Sequence, residues 1–166
     1  MKKTFLCILL FAATTFAGTD KAQMDSFKKE SPVLRNAIGD AVGSVIPGRS
    51  YIDLPKASYL EGYGAVITLE VSLGPTRSPF SSPETPEQVR KMVDQRRKEI
   101  TQKLETVLKQ RVGTMQSILP NDSVTIVLYL LNSNPADVPD LPSQIIFTAK
   151  KPAQKEDPTQ VTVQEF

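Results

Sequence analysis

The chain has 166 residues, with 20 lysines and arginines, 18 acidic residues, one cysteine and no histidine. The lack of histidine excludes Ser-His-Asp and Cys-His catalysis and the common zinc sites, because each of them needs an imidazole. The sequence also contains no Asp-x-Asp-x-Asp-Gly calcium loop. It therefore predicts no catalytic residue, no metal site and no cofactor.

The first 17 residues have the three parts of a bacterial secretory signal peptide. Lys2 and Lys3 supply the basic start, residues 5–11 form the apolar core, and small residues precede a polar stretch. The apolar core is shorter than the roughly 20 residues that span a bilayer. We therefore expect export to the periplasm or the cell exterior, with cleavage after Ala17. Cleavage after Ala22 and an uncleaved N-terminal anchor are the alternatives.

Cleavage of this segment would change the charge of the protein. Residues 1–17 contain Cys7 and two lysines but no acid, so residues 18–166 carry 18 basic and 18 acidic side chains. A net charge near zero gives no reason to expect nucleic acid as a partner. Without a thiol the exported part could form no disulfide, but it is long enough for one hydrophobic core.

The first predicted elements of the exported part are an arm and a short helix. Residues 18–30 are polar and are expected to form a loose arm. Ser31 and Pro32 have the preferences of an N-cap and of a first helical position. Apolar residues at three- and four-residue spacing predict a helix over residues 32–45. A single domain is expected over residues 31–150.

Two strands are predicted next. Tyr51, Ile52 and Leu54 indicate a short strand, and strict alternation predicts a longer one over residues 63–73, with the odd-numbered positions buried. Residues 59–67, Tyr-Leu-Glu-Gly-Tyr-Gly-Ala-Val-Ile, resemble a strand of uncharacterised exported bacterial proteins. The resemblance implies an exported domain and brings no activity or site residue with it.

A loop and a long helix follow. Residues 74–86 are rich in proline and serine, and Phe80 is their one large apolar side chain. Phe80 either packs on the core or contacts a ligand from a recognition loop. The long helix starts with a capping box between Thr85 and Gln88 and is predicted to run to about residue 117. Four acid–lysine pairs at i,i+4 spacing indicate a solvated face: Glu87–Lys91, Asp94–Lys98, Glu99–Lys103 and Glu105–Lys109.

Two more strands and a polar tail complete the predicted domain. Residues 123–132 are apolar at both odd and even positions, which is typical of a central strand covered on both faces. Residues 145–149 predict another strand. Residues 151–166 are expected to be a flexible tail in which Val161-Thr162-Val163 pairs weakly at an edge.

The order of these elements predicts an α+β fold. We expect a two-layer sandwich of about four antiparallel or mixed strands packed against one long helix, plus a short N-terminal helix. The short helix would cover an end of the sheet or its opposite face. Cover on both sides of the 123–132 strand favours the opposite face, or a second copy of the chain in that place.

Two arginines of the long helix are the candidate binding residues, together with Phe80. At 100° per residue, Arg97 and Arg111 fall on the apolar side, where leucine would be expected, about 21 Å apart along the axis. Three interpretations remain open. Both heads reach water, or they form an ion pair with Asp53, Glu61 or Glu70, or they bind an anion or carboxylate ligand.

The function favoured by the sequence is a non-enzymatic binding or assembly module of the cell envelope. Its partner would be an envelope protein or a second copy of the chain, and no transmembrane segment is expected after signal cleavage. The alternative is a hydrolase with a carboxylate pair in a cleft. The acids near strand ends or loops that could supply such a pair are Glu61, Glu70, Asp137 and Asp140.

Overall fold

The computed structural model describes residues 19–46, 54–75, 84–132, 135–154 and 157–166. The proposed signal peptide, the strand expected at Tyr51 and Ile52, and Phe80 lie outside these residues. The elements in chain order are α1 (Thr19–Gly43), β1 (Lys56–Leu60), β2 (Gly64–Ser72), α2 (Pro86–Arg111), a 3-10 turn (Val112–Thr114), β3 (Ser123–Leu131), β4 (Gln144–Lys150) and β5 (Gln160–Glu165).

The strands form one mixed sheet in the order β1-β2-β3-β4-β5. Neighbouring strands are antiparallel except for β2 and β3, which are parallel and in register from Gly64–Ser123 to Ser72–Leu131. The α2 helix lies in the connection between these two parallel strands, as a parallel crossover requires. The α+β class with a long helix and an N-terminal helix is confirmed, but the sheet has five strands rather than about four.

The fifth strand corrects the prediction of a flexible tail and confirms the edge pairing expected for Val161-Thr162-Val163. β5 pairs with β4 from Lys150–Gln160 to Ile145–Glu165. Val161 and Val163 point toward the core and are half-buried, whereas Thr162 and Gln164 are exposed. The segment was predicted to be a tail because most of its residues are polar, but an edge strand needs apolar residues only at every second position.

The N-terminal helix corrects the prediction of a loose arm before residue 31. α1 begins at Thr19 and continues through Pro32. Pro32 has no N–H to donate to the carbonyl of Lys28, but Lys28 is exposed, so water can supply that hydrogen bond. Phe27 is only 4% exposed, and its ring centroid lies 5.6 Å from that of Tyr59 on β1. Burial of a phenylalanine contributes roughly 1.5–3 kcal/mol, which offsets much of the cost of an interior proline.

The start of α2 is as predicted, and its end is earlier. Thr85 and Gln88 form both hydrogen bonds of a capping box, at 2.9 and 3.3 Å. The α-helix ends at Arg111 and not near residue 117, because the chain tightens into the 3-10 turn and then leaves the helix axis at Met115. The 115–119 segment is instead held by side chains from α1 and from the segment after β4.

Both helices cover the same face of the sheet, so the expected helix on the opposite face is not there. The covered face consists of the odd positions of β2, as predicted, the even positions of β3 and the odd positions of β4. Leu34, Ile38 and Val42 of α1 belong to the same core as Ile100, Leu104 and Leu108 of α2. No described element covers the other face.

Residues 59–67 form a hairpin rather than a single strand. β1 and β2 pair antiparallel across a turn at residues 61–63. Gly62 and Gly64 have φ of 71° and 117°, a region that favours glycine. A Cβ on Gly64 would also collide with the backbone carbonyl of Ser123, so glycine is needed there to let β3 approach. Leu54 is exposed and precedes β1 instead of belonging to a strand.

Candidate binding site

The sheet face opposite the helices, called the open face below, carries two rows of side chains. They come from the even positions of β2, β4 and β5 and the odd positions of β3, so they alternate with the core residues. The strand register aligns Val66, Thr125, Thr148 and Thr162 in one row, and Thr68, Val127, Ile146 and Gln164 in the next. These two rows therefore consist largely of β-branched side chains.

Two tyrosines flank these rows. The Tyr63 hydroxyl is 2.6 Å from the Thr125 hydroxyl, which is 3.3 Å from that of Thr148. Tyr129 follows Val127 on the open face of β3. Each tyrosine is 41% exposed. Tyrosines that present a ring and a hydroxyl together are enriched where proteins contact one another.

The open face also explains the apolar pattern of β3. Cover on both faces of this strand was predicted because both parities are apolar. Val127 and Leu131 are half-buried on the open face by their neighbours, and Tyr129 is exposed. The apolar residues at the odd positions of β3 therefore lie on a face that no described element of this chain covers.

Arg97 lies at the β5 side of the helix layer and is already paired. Its guanidinium donates to the Glu165 carboxylate at 2.9 Å and to Asp94 at 3.3 Å, and its side chain is 25% exposed. An ion pair was one of the predicted interpretations, but the partners differ from those considered. Glu165 belongs to β5, which the sequence had assigned to a tail.

Arg97 lines a cleft of about 190 Å³ between the start of α2 and the β3–β4 connection. Arg90 closes one side by donating to the backbone carbonyl of Asp137. Asp94 and Asp140 also line the cleft. The arginines in this cleft are thus engaged with groups of the chain itself, an arrangement that holds the β3–β4 connection and β5 against α2.

Arg96 is a structural residue that the sequence did not single out. It donates to the carbonyls of Leu73 at 2.9 Å and Gly74 at 2.7 Å, at the end of β2. Partial burial lowers the pKa of its guanidinium, and the nearby Glu99 carboxylate opposes that effect. The contact fixes the chain where it leaves the sheet toward α2.

Arg111 lies in a separate place, as the predicted spacing requires. It is exposed and lines a cleft of about 170 Å³ with Val33, Leu34 and Met115. Glu30 also lines this cleft. The structure therefore does not bring Arg97 and Arg111 together.

Glu30 is the most heavily hydrogen-bonded carboxylate of the described residues. It accepts from the backbone N–H groups of Gln116 at 3.1 Å and Ser117 at 3.0 Å, and from the Ser117 hydroxyl at 2.6 Å. Burial raises its pKa, but these hydrogen bonds and the charge of Lys151 outweigh burial and hold the pKa below its usual range. Lys151 in turn donates to the carbonyls of Met115 and Ile118.

Of the acids considered for a hydrolase, only Asp137 and Asp140 share one part of the molecule. Glu61 is in the β1–β2 turn, whereas Glu70 is near the far end of β2 on the open face, roughly 20 Å away at 3.3 Å per residue. Asp137 and Asp140 lie in the β3–β4 connection. Within the part of the chain that the structure describes, no group of three or more acidic side chains could hold a metal ion.

Comparison of the chain with protein-family models, curated proteins and solved structures finds no match in any of the three. The helices of the described residues include none that is both long and apolar enough to cross a membrane.

Proposed function

We propose that the chain is an exported, non-enzymatic module that binds an envelope protein through the open face. The observation that carries the proposal is the pairing of Val127 and Ile146 at the centre of this face, on two adjacent inner strands. Both are half-buried and lie under no described element. A partner that covers them removes apolar surface from water, which contributes about 25 cal/mol per Å².

The surroundings of this pair support a protein partner. The threonine row and the two tyrosines supply hydroxyl groups around an apolar centre, which is the usual arrangement of a protein interface. Residues 18–166 have equal numbers of acidic and basic side chains, so long-range attraction to an anionic polymer or lipid surface contributes little. The N-terminal segment supports export, since it has the parts of a signal peptide.

The hydrolase alternative has less support. Glu61 and Glu70 lie too far apart for the 5–10 Å that a carboxylate pair requires. Ser117, which is hydrogen-bonded to Glu30, is fully buried and therefore out of reach of a substrate.

Photocrosslinking can test the proposal in bacterial cells that express the full chain. A photoreactive amino acid would replace Tyr129, with Asn36 on α1 as the matched control, since both side chains are exposed. We expect adducts with one envelope protein from Tyr129 and none from Asn36. The purified protein would also be offered a panel of glycans and esters.

Three results would overturn the proposal. Equal labelling at the two positions would show that the open face is not selective. Adducts only with a second copy of the chain would replace the envelope protein as the partner. Turnover of a glycan or an ester without a selective adduct would favour the hydrolase.

A further inference from the structure

β5 forms one edge of the sheet, and no described strand pairs with the backbone groups on its outer side. Phe166 exchanges backbone hydrogen bonds with Gln144 on β4, at 3.0 and 3.2 Å. In an antiparallel pair, hydrogen-bonded positions alternate with non-bonded ones. Gln164, Thr162 and Gln160 therefore also direct their N–H and C=O groups toward β4. The groups of Val161, Val163 and Glu165 point away from the sheet.

The β5 edge lacks the features that usually prevent strand pairing. Gln160–Glu165 contains no lysine, proline, glycine or bulge, and two of its six residues are valines. Its one charge, Glu165, is neutralised by Arg97 on the helix side. At the opposite edge of the sheet, β1 follows Pro55 directly and begins with Lys56, both of which discourage pairing. The two edges are therefore not equivalent.

We infer that a second copy of this chain pairs with β5 edge to edge, antiparallel and centred on Val163, to give a continuous ten-stranded sheet. In this register Val163 faces Val163 of the second copy, and Val161 faces Glu165. All six outward N–H and C=O groups of each β5 then find partners. The pairing uses the edge of the sheet and leaves the open face free, so it is independent of the proposed function.

The helix layer favours a second copy over an unrelated strand. Arg97 contacts Glu165, and a Cβ on Gly113 would lie 3.5 Å from the Thr159 hydroxyl, so α2 runs antiparallel to β5, and it contacts β4 as well as β5. Next to Arg97, a row on α2 alternates in charge and spans about 60° of the helix circumference at 100° per residue. Its members are Asp94, Lys98, Glu105 and Lys109.

A twofold axis at Val163 makes this charge row complementary to itself. The axis passes near residues 101–102 of α2, because that is the part of the helix above Val163 when Arg97 is above Glu165. The axis then places Lys98 opposite Glu105 of the second copy, and Asp94 opposite Lys109 of the second copy. Within each chain Asp94 also pairs with Arg97 and Glu105 with Lys109. An unrelated strand would bring no such row, so the charges favour a copy of the same chain.

The register can be tested with substitutions at two exposed residues of the edge. Thr162 and Gln164 point to the open face, and the proposed pairing places Thr162 directly opposite Gln164 of the second copy. Thr162→Lys combined with Gln164→Lys opposes like charges twice. Thr162→Lys combined with Gln164→Glu opposes unlike charges twice. The control, Asn36→Lys with Ser44→Lys, adds the same charge to exposed positions of α1 and its C-terminal turn, on the helix that packs against β1 rather than β5.

Sedimentation equilibrium of the purified proteins gives the dissociation constant of the dimer. We expect the wild type, the control and the Lys/Glu variant to dimerise, and the Lys/Lys variant to dissociate with a Kd at least about tenfold higher. A single cooperative melting transition of the monomeric variant would show that it is folded, although loss of the partner lowers its melting temperature. A wild type that stays monomeric at high concentration, or a Lys/Lys variant that dimerises as tightly as the Lys/Glu variant, would overturn the inference.

Discussion

Glu30 joins three parts of the chain that are distant in sequence. It accepts hydrogen bonds from Gln116 and Ser117, 86 and 87 residues away, and lies near the charge of Lys151. The role of Glu30 was not predictable from the sequence, because two of its three donors are backbone N–H groups, which every residue except proline has. The orientation of Arg97 toward the sheet was predictable from helical periodicity. Its partner was not, because Glu165 comes from a strand that the sequence assigned to a tail.

Replacing Glu30 should make the free energy of unfolding less dependent on pH in the acidic range. Its folded-state pKa is lowered, so its contribution is fully present above the ordinary glutamate pKa of about 4.3. The contribution is lost as the pH falls from there through the lowered pKa. Glu30→Gln should therefore destabilise the protein by about 1 kcal/mol at pH 7, since solvent screens part of the interaction of this partly exposed carboxylate, and by less as the pH falls below about 4.3. Denaturant unfolding over a pH series measures the difference, and a loss that does not shrink with falling pH would contradict the prediction.

At the scale of elements, the sequence specified best what depends on local chemistry. The capping box at Thr85 and the alternation of β2 were predictable because neighbouring residues determine them. α1 was predicted too short because Pro32 is a strong local signal for a helix start, and tertiary burial of Phe27 overrides it. The side of the sheet that α1 covers depends on packing alone, and so it was not predictable.

The N-terminal half of α1 should contribute to stability, because Phe27 packs in the core beside Tyr59. Phe27→Ala removes a buried ring beside Tyr59 and should cost about 3–5 kcal/mol. Met24→Ala, one turn earlier at a position 44% exposed, should change the free energy of unfolding by less than about 0.5 kcal/mol. Thermal and urea unfolding of the two variants measure both values. Similar small effects would mean that this half of α1 is loose.

At the scale of the whole molecule, the start of α1 bears on the proposed signal peptide. The described part of α1 extends from Thr19, so cleavage after Ala17 would keep all of it, whereas cleavage after Ala22 would remove its first turn.

Export can be measured directly. When the full chain is expressed in a bacterium, we expect the intact mass of the exported protein to correspond to residues 18–166. Ala17→Arg should block this cleavage, because a small residue is needed immediately before the cut, whereas Thr19→Ala should not. An unprocessed wild-type chain in the membrane fraction would favour the anchor, and one in the cytosol would contradict export.

The parallel contact between β2 and β3 has a consequence for how the chain folds. The pairs β1–β2, β3–β4 and β4–β5 are antiparallel and consecutive in the chain, so only a short loop has to close before each pair can form. Gly64 and Ser123, by contrast, meet only after α2 has brought back a long stretch of chain. We expect the entropic cost of that closure to make the β2–β3 contact the slow step of folding. Changes within the crossover should therefore alter the folding rate more than changes in either hairpin turn.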